Sequence, residues 1–454
     1  MGRRPIAGEA GYVQQPQWWI NGTNNWNPVC HAGMVLGALA VHESGSPVTA
    51  DIVARAVDGV RHAMVEFGPD GAYPEGPSYW SYGTTFNVLL ISALESALRS
   101  DFKLSTIPGF LATADYYLHA TGPTNLFFNY ADCGSGGGTQ PAMFWFAAHR
   151  QEPHLLWTEL GRFEAQMAKG GSKPKGSDRL FPLLLAWSSQ LPAQRTAPPA
   201  LSWSGGGLTP VAMHRSAWTA EATYVGCKGG SPSNSHGHMD VGSFVMDADG
   251  VRWAADLGMQ DYHSLESRKV DLWNSRQDSQ RWQVFRLGAS SHNILTVDGQ
   301  QQRVKGRAPM VVAKPGRTVI DTSGVYQDQF TSSMRGVALL PDRSVMIQDE
   351  FTVCRDSTVR WAMVTPADVT VTAPGLATLA QKGRTLAFRV LEPAHAEVRT
   401  WSTEPPTDID APNPGTRLVG FAVRLPMGEA RRLVVHLVPG GRDSPVAVTP
   451  LQEW

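Results

Sequence analysis

Cysteine is scarce: four residues, Cys30, Cys133, Cys227 and Cys354, in a chain of 454. They stand singly, without a Cys-x-x-Cys pair, which excludes a dense disulfide framework and a thiolate metal cluster. They read as small buried hydrophobes. Charge is thin as well, at 17% of residues, and 39 basic against 40 acidic side chains leave a formal charge of -1. No chain-wide basic field therefore exists to hold nucleic acid or an anionic membrane. No stretch approaches the roughly 20 apolar residues that a bilayer span requires. Arg3 and Arg4 have no apolar core behind them, so no signal peptide is read and the compartment stays open.

What is plentiful is punctuation, with 45 Gly and 32 Pro, and a length that implies two or three domains. Up to residue 190 the texture is helical. Pro28–His42 carries apolar residues at turn-like spacing, and Ser46-Pro47 supplies an N-cap and first-turn pair for a second helix. Thr84–Leu98, Gly109–His119, Ala142–His149, His154–Met167 and Leu180–Trp187 continue the pattern, which predicts helical hairpins in a bundle or toroid. Residues 191–207 have linker composition.

From 208 to 454 the period changes to two, as in Ala222–Val225, Gly242–Met246, Asn293–Val297, Met310–Val312, Thr318–Ile320, Val359–Val364, Leu386–Val390 and Arg432–Val438. Asp249-Gly250 and Asp298-Gly299 are hairpin signals. The fold class expected is multidomain α + β, helices first and a large antiparallel β-sandwich second. Roughly the last 90 residues are set apart as a smaller β-subdomain.

Three clusters concentrate polar groups beyond what the pattern needs. Asn24-Asn25-Trp26-Asn27-Pro28 precedes a helix; Asn27 suits an N-cap, and the same geometry aims amides and His31 out of a helix mouth toward an anionic oxygen. Asp70 to Thr84 reads as a loop holding Tyr73, Glu75, Tyr79, Trp80 and Tyr82, whose aromatics either plug a helical layer or stack on sugar rings. In Asn234-Ser235-His236-Gly237-His238-Met239-Asp240, strand alternation would put His236, His238 and Asp240 on one face. Asp256 and His292 follow, and imidazoles with a carboxylate suit Zn²⁺.

Taken in order, Asn-Asn-Trp-Asn-Pro-Val-Cys at 24–30, Tyr-Pro-Glu-Gly-Pro-Ser-Tyr-Trp-Ser-Tyr-Gly-Thr at 73–84, His-Gly-His-Met-Asp at 236–240 and Ser-His-Asn-Ile-Leu-Thr-Val-Asp-Gly at 291–299 resemble the heparinase II/III-like polysaccharide lyases. The resemblance implies an incomplete (α/α) toroid followed by an antiparallel β-sandwich, and β-elimination on a uronic-acid polysaccharide of the alginate or glycosaminoglycan type. It implies Tyr82 as catalytic acid and base, with Tyr79 as runner-up, Asn27 as the group neutralising the uronate, with Asn25 sharing or taking that role, and His236 as base for one C5 epimer or carboxylate donor. It implies His238, Asp256 and His292 as ligands of a bracing metal, Zn²⁺ or another divalent ion such as Mn²⁺. Glu75, Trp80 and Arg281 are expected to line the cleft, with a surface strand position the alternative for Arg281. The partner expected is an acidic polysaccharide, with a homodimer kept as one assembly state. Relatives carry several helices, and often a signal peptide, before the Asn motif, so the toroid is expected to be short or the reading frame incomplete. Two other functions compete: a glycoside hydrolase using Glu75 with Asp70, and a non-catalytic carbohydrate-binding protein.

Overall fold

A computed structural model describes residues 17–43, 47–168, 180–189, 191, 195–442 and 444–454. The start of the chain, the Ser46 cap and part of the linker lie outside the described residues. The chain divides into two units, and its order in sequence is not its order in space. The first draws on Met1–Tyr73, Pro77–Leu118 and Gly138–Thr196; the second takes Pro74–Gly76, His119–Gly137 and Ala197–Trp454.

Among the described residues of the first 190, seven helices form: α1 (Trp26–Ala40), α2 (Pro47–Met64), α3 (Gly76–Leu98), α4 (Thr113–Ala120), α5 (Pro141–Arg150), α6 (Trp157–Ala168) and α7 (Phe181–Ser188). α2 shows the cause plainly, since Val53, Ala56, Val57, Val60, Ala63 and Met64 recur at helical spacing and are buried. α3 differs from expectation. It starts eight residues before Thr84, so Tyr79, Trp80 and Tyr82 are helical and not in a loop. Pro77 in the first turn and Gly76 at φ 81° set this start, and a Cβ on Gly76 would lie 2.5 Å from the Tyr130 carbonyl oxygen. No described helix is long and apolar enough to cross a membrane.

Among the described residues, the second unit contains three antiparallel sheets of five, eight and four strands. One core, including Val225, Phe244, Trp253, Ile320, Ile347, Trp361, Phe388 and Phe421, draws residues from all three, which makes this the expected sandwich. Three long strands, Phe330–Leu339, Val345–Val353 and Arg417–Leu425, escaped period-two reading; they are buried on both faces for much of their length. Roughly the last 90 residues do not separate; Ala430–Pro439 pairs with Val345–Val353 in the middle of the large sheet. Asp249-Gly250 makes the expected hairpin, with both residues at positive φ. Asp298-Gly299 turns without one: the strand before it, Leu295–Val297, pairs with Ser357–Thr365. The strand Ser202–Gly205 falls inside the stretch read as linker.

Candidate functional site

His236 to Asp240 do not form a strand. His236 lies at φ 59°, a left-handed conformation uncommon outside glycine, so alternation does not apply. The loop is pinned at both ends: the Asn234 amide donates to the Leu208 carbonyl (3.0 Å) and to Thr209 Oγ1 (2.8 Å), and Met239 N donates to the Leu287 carbonyl (3.0 Å). Gly237 is required by crowding, since a Cβ there would meet the Pro232 carbonyl oxygen at 2.5 Å.

Both imidazoles converge on a residue the sequence reading missed. Asp132 Oδ2 is 3.0 Å from His236 Nδ1, and Asp132 Oδ1 is 2.9 Å from His238 Nε2. Arg281 Nη2 donates to Asp132 Oδ2 (2.9 Å), and so does the Tyr262 hydroxyl (2.9 Å), which is also 2.9 Å from His236 Nδ1. Burial would raise the Asp132 carboxyl, but the Arg281 charge and the two imidazole bonds hold it well below the usual carboxylate range. An ionised carboxylate only accepts, so His236 donates from Nδ1 and His238 from Nε2. The basic nitrogens are then His236 Nε2 and His238 Nδ1.

A similar device holds His292, whose Nδ1 is 2.9 Å from Asp256 Oδ2. The neighbouring Asn293 fixes its place: its amide donates to the Phe244 and Ala255 carbonyls, and its oxygen accepts from Val364 N. Burial would lower the His292 pKa, yet the Asp256 carboxylate raises it; for His238 burial prevails and lowers it. Asp256 is itself lowered by His292 against the effect of burial.

His238 Nδ1, His292 Nε2 and Asp240 Oδ2 are buried and have no hydrogen-bond partner. His238, Asp240 and His292 each offer a ligand atom within 4.8 Å of the others, so this group could hold a metal ion. The fit is to an N,N,O donor set with neutral imidazoles. Asp256 stands outside this group: its two oxygens bond His292 Nδ1 and Gly258 N, so it orients one of the group's imidazoles. Asp240, singled out by spacing alone, stands in the group. Its other oxygen meets Lys228 Nζ at 2.5 Å.

Arg281 is neither a cleft-lining group nor a surface strand cation. It is buried in a short 3₁₀ helix, Gln280–Gln283, bonded to Asp132 and the Gly237 carbonyl. Glu75 is buried too.

In the helical unit, α1 begins at Trp26, so Asn25 takes the cap position and Asn27 lies inside the first turn. The Asn27 amide donates to the carbonyls of Trp19, Ile20 and Gly59 at 3.2, 3.0 and 3.0 Å. Asn27 therefore clamps backbone, and this conformation spends the donors a uronate would need. His31 is buried under Trp19 with Nδ1 2.7 Å from the Asn27 carbonyl, not aimed out of a helix mouth. Trp80 is fully buried, stacked on Tyr117 at 4.2 Å with its indole N–H on Thr113 Oγ1, so it plugs the helical layer. Tyr79 is half-buried. Tyr82 is 39% exposed, with Phe86 edge-on at 5.5 Å. The next residue shows why Tyr-Gly is needed: a Cβ on Gly83 would approach Asn25 Cβ at 3.2 Å and the Tyr73 hydroxyl at 3.1 Å. The Asn motif thus packs beside Tyr82-Gly83 inside one unit.

Residues 211–420 match the family described as heparinase II/III-like, C-terminal. No curated protein matches the sequence. Among solved structures, the chain is similar to a heparinase III (TM-score 0.69, 13% identity, covering 93% of this chain and 62% of that one). It is also similar to the heparan sulfate lyase HepC from Pedobacter heparinus (TM-score 0.65, 13% identity, 96% and 62%). A further heparinase III gene product gives a TM-score of 0.65 at 15% identity, over 91% and 59%. The chain thus has the heparinase III fold, helical toroid type with β-sandwich, and spans about three-fifths of the length of these structures.

Proposed function

We propose that this chain, whose residues 211–420 are a heparinase II/III-like C-terminal domain, is a polysaccharide lyase that cleaves a uronic-acid polysaccharide by β-elimination. The observation that carries this reading is the buried Asp132 carboxylate, which fixes the tautomers of His236 and His238 together.

The chemical difficulty is a carbon acid. The C5 proton beside a uronate carboxylate leaves only if donors stabilise the charge that builds on that carboxylate. His236, with Nδ1 donating to Asp132, keeps Nε2 as the basic nitrogen suited to accept that proton. The imidazolium so formed is stabilised through Nδ1 by the same carboxylate. Tyr82, exposed on α3, is the proposed donor to the departing O4, and Tyr79 is its alternate. Asn25 replaces Asn27 as the proposed amide beside the uronate, because the Asn27 donors are occupied.

His238, Asp240 and His292 would hold a divalent cation, Zn²⁺ or Mn²⁺, with Asp256 orienting His292. When bound, that ion would brace the loop carrying His236 electrostatically.

The test is incubation of folded protein with alginate, heparan sulfate, chondroitin and hyaluronan. A lyase raises ultraviolet absorbance as 4,5-unsaturated ends form; a hydrolase releases saturated ends with no such rise. A flat trace on every polymer rejects the lyase.

A further inference from the structure

Beside His236 lies a tryptophan that the reaction chemistry leaves unused. Trp273 is 57% exposed, a large apolar surface to leave in water. Its loop is nevertheless held firmly. Leu272 is buried with Leu265, Val284 and Leu287, Asp271 N donates to Gln280 Oε1 at 2.7 Å, and Arg276 N donates to Asn274 Oδ1 at 2.9 Å. The indole is fixed as well: its N–H donates to Glu266 Oε1 at 2.8 Å. Its ring lies 4.9 Å from Tyr262 at 69° and 5.7 Å from His236 at 87°, so neither ring stacks on it face to face. Packing alone gives no reason to hold an exposed indole rigid.

We infer that Trp273 is a stacking platform for a pyranose ring, seating the sugar that adjoins the one presented to His236. The C–H-rich face of a pyranose is apolar and slightly positive, which suits the electron-rich face of an indole. The indole bond to Glu266 and the contact with Tyr262 mean that little rotamer freedom is lost when the sugar docks. Tyr262 joins the platform to the chemistry, since its ring packs on Trp273 while its hydroxyl bonds Asp132 and His236.

This inference deepens the lyase reading and rests on it for the identity of the neighbouring sugar; the binding arm of the test does not. Titration calorimetry with saturated heparan sulfate and alginate tetrasaccharides should show Trp273→Ala weakening the better ligand roughly tenfold, with Trp273→Phe recovering most of the loss. On the polymer that is cleaved, KM should rise by a similar factor while kcat changes less. Unfolding midpoints equal to the parent's confirm that both variants are folded. Tetrasaccharide binding that depends on Trp273, with no cleavage of any uronan, would sink the lyase and support the platform. Cleavage with an unchanged KM in Trp273→Ala would overturn the platform and spare the lyase. Absence of any Trp273-dependent binding to either tetrasaccharide also overturns it.

Discussion

Replacing Asp132 with Asn removes one negative charge from a site where four groups depend on it. Arg281 Nη2, the Tyr262 hydroxyl and both imidazoles lie within 3.0 Å of its two oxygens, and the side chains of Asp132 and Arg281 are 1% and 5% exposed. An amide has one acceptor oxygen, so its NH₂ must face a donor from His236 or His238. Arg281 keeps the Gly237 carbonyl but loses its counter-charge. Leaving a buried cation unpaired costs about 3–5 kcal/mol, and the lost bonds to the imidazoles overlap with that figure and do not add to it. Taking about 3 kcal/mol and a urea slope near the upper end of about 1–3 kcal/mol/M, the midpoint should fall by about 1 M. Adding Arg281→Met should restore part of the loss, because the orphaned charge is then gone. The parent carboxyl is held below its unfolded pKa, so its contribution is full at neutral pH and is lost as pH falls through the folded value; Asp132→Asn should lack that acid limb. Urea denaturation followed by near-ultraviolet circular dichroism reads the effect. A variant with the parent's midpoint would refute the account of Asp132 as the anchor.

Three further outcomes are expected. Tyr82→Phe should abolish most turnover and leave tetrasaccharide affinity nearly intact; parental turnover would assign the acid elsewhere. Burial lowers His214 to about 4. Gly316 N donates to its Nδ1 and Nε2 meets Thr318 Oγ1, a pattern for the neutral ring. The neutral form's advantage is therefore full above about pH 6.5 and is lost as pH falls toward 4, by about 3 kcal/mol in all. His214→Gln should flatten that slope in urea midpoints measured across the window. Finally, protein equilibrated with Zn²⁺ and then desalted should retain metal by elemental analysis, His238→Ala should not, and Asp256→Asn should bind about 10–100-fold more weakly; equal retention by all three would discard the ligand set.

Helices and sandwich were readable because burial on one side imposes a period, and α2 is the plain case. Phe330–Leu339 and Val345–Val353 hid because two-sided burial erases alternation. At the site, local composition marked His236, His238, Asp240 and His292 as polar residues that no pattern required. Strand geometry was the wrong reason for grouping them, since His236 is left-handed. Asp132 was missed because its partners, His236 and His238, lie far off in sequence. Arg281 and Trp80 were misread for the opposite reason: residue type suggested ligand contact, and only tertiary packing shows them buried.

The interleaved threading of the two units has a practical corollary for anyone dissecting the molecule. A fragment begun at Ala197 to obtain the sheets alone would leave behind His119–Gly137, which belongs with them and brings Asp132. Such a fragment would keep both histidines and Arg281 while losing the one acceptor they share. It should emerge poorly folded, and adding a synthetic 119–137 peptide should recover part of what the cut removed.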